Sequence, residues 1–125
     1  INEGNGSYKK QELPKQVQYS PMLSAISLDL NQDGINDLIT AGNFYGVVPH
    51  LGQYDAGIGT VLISDKAASL RVIPNQKHGL FLDREIRNMA IFTSGDKKIL
   101  IAAINNGKPV FYEIKGSKQS DRSNY

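Results

Sequence analysis

The sequence predicts an all-β fold of antiparallel sheets arranged as about two blade-like units. Three observations carry this. Short apolar runs of four to six residues recur along the chain, 12 glycines and five prolines punctuate them, and almost no window repeats its apolar residues at helical spacing.

The runs follow in order. Ser24–Leu28 alternates apolar and polar residues, as does Leu38–Ala41. Thr60–Ile63, Leu70–Ile73 and Met89–Phe92 come next, then Ile99–Ile104 and Val110–Ile114. Each is bounded by Gly, Pro, Asn, Asp or Ser, the residues that suit turns. A further run, Ser7–Pro14, reads as a strand ending in Leu-Pro. Asp65–Ser69 fits either one helical turn or a hairpin tip. Between the last two strands, Asn105-Asn106-Gly107-Lys108 predicts a type I′ hairpin turn, because Asn-Gly tolerates the positive φ both central residues need. Pro109 then opens a strand where a missing N–H matters least.

A faint internal repeat divides the chain. The first unit spans 5–59, the second 60–115, and 116–125 forms a tail with a mildly basic stretch, Lys115–Arg122. Leu38–Asn43 aligns with Leu100–Asn105.

Composition narrows the function classes. The chain has 125 residues, enough to bury a core without staples, and a 40% hydrophobic, 21% charged composition typical of globular domains. The formal net charge of +2, with scattered lysines, offers no electrostatic stripe for nucleic acid. The absence of cysteine excludes disulfides, thiolate metal sites and a cysteine nucleophile, and leaves the compartment open. No run approaches the roughly 20 apolar residues of a membrane helix. The chain opens on Ile1 rather than methionine, which fits a piece of a longer or processed protein.

One stretch concentrates charge. In DLNQDGINDL (29–38), Asp29, Asn31, Asp33 and Asp37 stand at positions one, three, five and nine, with Gly34 at six and Ile35 at seven. Hard cations such as Ca²⁺ take six to eight oxygen ligands from carboxylates, amides, carbonyls and water. Alternate side chains turned inward could supply four of these groups. Gly34 permits the sharp turn that lets the Ile35 carbonyl face the ion. Unneutralised, three neighbouring carboxylates repel one another. The same composition is also that of a solvated turn between strands.

The first half resembles an EF-hand loop, but position twelve is Thr40 rather than glutamate and the flanks are strands. Strand–D-x-N-x-D-G-x-x-D-L–strand resembles the calcium loop of FG-GAP/VCBS repeats, found in the blades of integrin-like β-propellers. Asn5–Tyr8, Gly42–Tyr45, Gly52–Gly59 and Ile104–Phe111 are similar to segments near the C-terminal end of large secreted bacterial proteins of this kind, some associated with ASPIC/UnbV-type regions. The resemblance implies a propeller-type repeat module with bound Ca²⁺, held by Asp29, Asn31, Asp33, the Ile35 carbonyl and Asp37. It implies a structural ion, an exported location, and packing against other blades of the parent chain or self-association. The second unit has Thr93–Lys98 where the first has its acidic loop, so it is not expected to bind a cation.

The other prominent segment is 43–59, rich in glycine and aromatics. Asn43, Tyr45, Tyr54 and Asp55 are the candidates there for binding a glycan or protein ligand by stacking and hydrogen bonding. A connector whose aromatics cover the core end explains the same residues. Gly57-Ile58-Gly59 lacks the rest of a nucleotide fingerprint, the two histidines stand apart, and no G-x-S-x-G occurs. Asp83-Arg84-Glu85 reads as a solvated turn with local ion pairs. The reading is a non-catalytic binding or structural module. The alternative is an accessory or catalytic domain of a polysaccharide-degrading enzyme, for which Asp55 lacks an evident second carboxylate.

Overall fold

A computed structural model describes residues 1–116. Seven of the eight predicted strands form: β1 (Met22–Leu28), β2 (Asp37–Gly42), β3 (Thr60–Ser64), β4 (Leu70–Ile73), β5 (Ile86–Ser94), β6 (Lys97–Ile104) and β7 (Val110–Ile114). Pairing is antiparallel throughout, in one sheet of order β1-β2-β3-β4 and another of order β5-β6-β7. The fold is all-β; among the described residues it has one four-residue helix, α1 (Asn75–His78), and two short 3₁₀ turns at Lys15–Gln18 and Pro49–Leu51.

The period-two pattern sends one set of side chains from each sheet into a shared core. Across the first sheet, Ile26, Ile39, Val61 and Ile73 lie opposite one another in a single row. The second sheet answers with Met89 and Ala102, then Ile91, Leu100 and Tyr112. Leu80 and Leu82, from the segment joining β4 to β5, join this core. Burying one such leucine is worth about 1.5–3 kcal/mol. The sheets meet along their first strands: Ser24 of β1 accepts the Met89 N–H of β5 at 3.0 Å. Leu62 and Val17 are buried on the opposite face of the first sheet.

Four expectations change. The boundary at 59/60 falls inside the first sheet, because β3 pairs with β2, so 60–73 complete that sheet. The physical reason lies in the 43–59 segment: Phe44 and Tyr54 exchange two backbone hydrogen bonds (2.9 and 3.0 Å), which folds it back beside β2. Ser7–Pro14 is not a strand. It carries only an isolated bridge, Asn2 to Tyr8, and Gln11 donates its side-chain amide to the Ala68 carbonyl. The repeat slips by one residue, since Leu100 faces the shared core whereas Leu38 lies on the opposite parity from core-facing Ile39. At the last hairpin only Asn106 has positive φ (53°), so no type I′ turn forms. Asn105 is drawn out of the ladder, its N–H and side-chain amide both donating to Glu85 at 2.8 Å.

Asp65–Ser69 is a hairpin tip, with Asp65 Oδ1 accepting the N–H groups of Ala67 and Ser69. Among the described residues no helix is long and apolar enough to cross a membrane. The 116–125 tail, apart from Gly116, lies outside the described residues, as does most of the basic stretch Lys115–Arg122.

Candidate functional site: the acidic loop and the 43–59 loop

The acidic loop joins β1 to β2. Its carboxylates organise the backbone before any ion is considered. Asp29 accepts Asp33 N–H through Oδ1 (3.1 Å) and Gly34 N–H through Oδ2 (2.8 Å). Asn31 Oδ1 accepts Asp33 N–H at 3.0 Å, and its amide donates to Asp33 Oδ2 at 3.0 Å. Asp33 Oδ1 accepts Ile35 N–H at 2.9 Å. These bonds curl the chain so that acidic side chains lie inside the bend. Gly34 takes φ +84°, as the turn required, and nothing lies within 4 Å of a Cβ built there, so conformation rather than space demands the glycine.

Asp37 closes the loop and is fully buried. Its Oδ2 accepts Leu30 N–H at 2.9 Å and its Oδ1 accepts Ser64 N–H at 2.8 Å. One carboxylate thus ties the start of the loop, the start of β2 and the end of β3. Burial raises the Asp37 pKa above its ordinary value, the two N–H donors oppose this, and the negative charges of Asp33 and Asp29 add to the rise. Asp29 shifts the other way, chiefly through the Gly34 N–H.

The donor set fits a hard cation in kind: every candidate ligand is an oxygen, and each carboxylate oxygen retains acceptor capacity beyond the N–H it holds. The geometry is looser than a formed site. Among the described residues, no three Asp, Glu or His side chains converge as a metal-holding group, and the Asn31 amide nitrogen is turned toward Asp33.

In the 43–59 segment the structure separates the four candidates. Asn43 is 1% exposed and committed to the scaffold. Its Oδ1 accepts Gly57 N–H (2.9 Å) and the Ser20 hydroxyl (2.7 Å), and its Nδ2 lies within reach of the carbonyls of Gly57, Asp83 and Arg84 (2.8, 3.1 and 3.2 Å). No polar atom is left for a ligand, so its role is to tie the loop to the segment before β5. Tyr45 is half-buried and donates its hydroxyl to the Asp83 carbonyl at 3.1 Å. Burial raises its pKa, Arg84 lowers it, and Asp55, Asp83 and Glu85 add to the rise, which brings Asp55 into the electrostatic neighbourhood of Tyr45. Tyr54 and Asp55 are exposed.

Sequence reasoning missed Glu85. It is 1% exposed, accepts the Asn105 amide, and pairs with Arg87 at 2.5 Å. Arg87 also stacks its guanidinium 5.8 Å from the Phe44 ring centre. The available signal was the asparagine at the end of each aligned apolar run, Asn43 and Asn105, both of which reach the 83–85 segment.

Compared with known proteins, the chain matches no protein-family model, no curated protein sequence and no solved structure.

Proposed function

We propose that the chain is a non-catalytic, cation-stabilised β-repeat module, with Ca²⁺ held by Asp29, Asn31, Asp33, the Ile35 carbonyl and Asp37. One observation carries the reading. The loop that presents these oxygens ends in a buried carboxylate bonded to Leu30 and Ser64, so an ion drawn to the loop would brace three segments of the first sheet. The ion supplies charge neutralisation and tethering, and no chemistry is required of it.

Support for the FG-GAP/VCBS-like arrangement comes from placement. The acidic loop joins the first two strands of a four-stranded antiparallel meander, and a second meander meets it through β1 and β5. The module would pack against further blades of a parent chain or a second copy through the outward face of β5-β6-β7, which exposes Phe92 and Phe111. Exposed Tyr54 and Asp55, beside Tyr45, are the groups it would present to a glycan or protein ligand in an exported setting.

Thermal unfolding with Ca²⁺, Mg²⁺ or chelator tests the cation. At a hundredfold excess over Kd an ion specific to the folded state adds about 2.7 kcal/mol, roughly 10 °C in midpoint. Ca²⁺ should raise the midpoint, and Asp33→Ala should abolish the rise. A midpoint indifferent to both ion and substitution refutes the reading.

A further inference from the structure

Away from the contact between β1 and β5, a cleft of about 500 Å³ lies between the sheets. Its walls are the inner faces of both: Ile39, Val61 and Ile73 on one side, Leu100 and Tyr112 on the other, with Leu80 between. This is the size and lining of a small-ligand pocket rather than a packing defect. Tyr112 is fixed in its wall by donating to the Phe81 carbonyl at 2.7 Å.

Two polar features break the apolar lining. Arg71 pairs with Ile63, two residues along from the Val61–Ile73 pair, so strand alternation turns it to the core-facing side of the edge strand β4. A guanidinium therefore stands over an aliphatic surface while reaching solvent. The second feature is His78 of α1. Its Nδ1 accepts Leu80 N–H at 3.1 Å, which leaves the ring hydrogen on Nε2. Nε2 is shielded from water and makes no hydrogen bond. The Ile73 carbonyl lies beside the ring and favours its protonated form, against the effect of burial. The charges lining the cleft favour an anion: Arg71 and Lys115 face it, while the lining carboxylate Glu113 is already paired with Lys97 at 3.0 Å.

We propose that this cleft binds a small amphipathic carboxylate, an aliphatic or aromatic acid whose apolar body lies between the sheets and whose head meets Arg71 on the edge strand β4. The proposal does not rest on the cation reading, and its test is run with chelator present so that the two fail separately.

The probe is dodecanoate below its micelle concentration, titrated into the full chain by calorimetry and followed by amide NMR shifts. Saturable one-to-one binding is expected, with shifts at Val61, Ile73, Leu80 and Leu100. Arg71→Gln should weaken it about tenfold, the loss of one charge-assisted contact. Ile114→Trp, which fills the cleft from β7, should abolish it while the circular dichroism spectrum stays that of the parent. Dodecyltrimethylammonium should bind at least tenfold more weakly. The proposal is overturned by absence of saturable binding, by equal affinity for the cationic probe, or by Arg71→Gln binding like the parent. It is equally overturned by shifts confined to Ala90, Ile101 and Phe111 on the outward face, or by the cleft proving to be a contact between two copies in sedimentation.

Discussion

Ser64, the last residue of β3, donates its backbone N–H to the carboxylate of Asp37, the first residue of β2, at 2.8 Å. A loop carboxylate that the sequence offers as a metal ligand is thereby also a fastening of the sheet. Asp37 has two partners and no exposure, so its removal acts on stability whether or not an ion is present. Asp37→Ala should destabilise the domain by about 2–4 kcal/mol, the cost of leaving two backbone donors without a partner. Asp33→Ala, tested in chelator, should cost less, because that side chain lies nearer the surface. Urea unfolding of the two variants checks the order, and equal losses would contradict it.

Asn43 holds the 43–59 loop with its side chain and does so at φ +73°. Asn43→Gly keeps the backbone conformation and removes the bonds, at about 2–3 kcal/mol. Asn43→Ala should lose about 1 kcal/mol more, since alanine disfavours the left-handed region. If alanine proves the milder replacement, strain at this position is absent.

Gly42 is required for space. A Cβ there would stand 1.7 Å from the Pro21 carbonyl oxygen, where the β1–β2 pairing is irregular between Met22 and Ser24. That oxygen also accepts the Asn43 N–H at 3.0 Å. Gly42→Ala should therefore cost about 3 kcal/mol or more, through displaced backbone. A chemical-denaturation midpoint equal to the parent's would count against so close an approach.

His78 gives stability a sign with pH. Burial lowers its pKa below the ordinary value of 6.5. The unfolded chain then takes up a proton at higher pH than the folded one, so the contribution of His78 is fully present above 6.5 and is lost as pH falls toward the folded value. Unfolding free energy measured from pH 7.5 downward should fall more steeply in the parent than in His78→Phe. Parallel curves would remove the burial of this ring from the account.

Asp29 and Asp37 act in opposite directions in acid. The lowered Asp29 pKa contributes stability above its unfolded value that disappears as pH falls through the folded one. The raised Asp37 pKa contributes stability fully present below the unfolded value and lost as pH rises through the folded one. Between pH 3 and 6 Asp29→Asn should therefore flatten the acid loss of stability, and Asp37→Asn should steepen it. The same direction of change in both variants would contradict the assignment.

By itself the sequence determined the seven strands and the absence of long helices, because period-two alternation and glycine or proline punctuation are local properties that each strand carries alone. It also determined the chemistry of the 29–37 loop, whose hydrogen bonds, apart from the Asp37–Ser64 tie, run between near neighbours. Only the tertiary structure decided how the strands divide. The 43–59 segment folds back through Phe44 and Tyr54, and this long-range closure, invisible to composition, placed β3 and β4 in the first sheet rather than the second. Tertiary structure likewise decided that Asn43 is a tie instead of a ligand group, that Glu85 is buried, and that Arg71 and His78 share a cleft. Each of these depends on which segments meet across the core, and burial is a property of the meeting rather than of the residue.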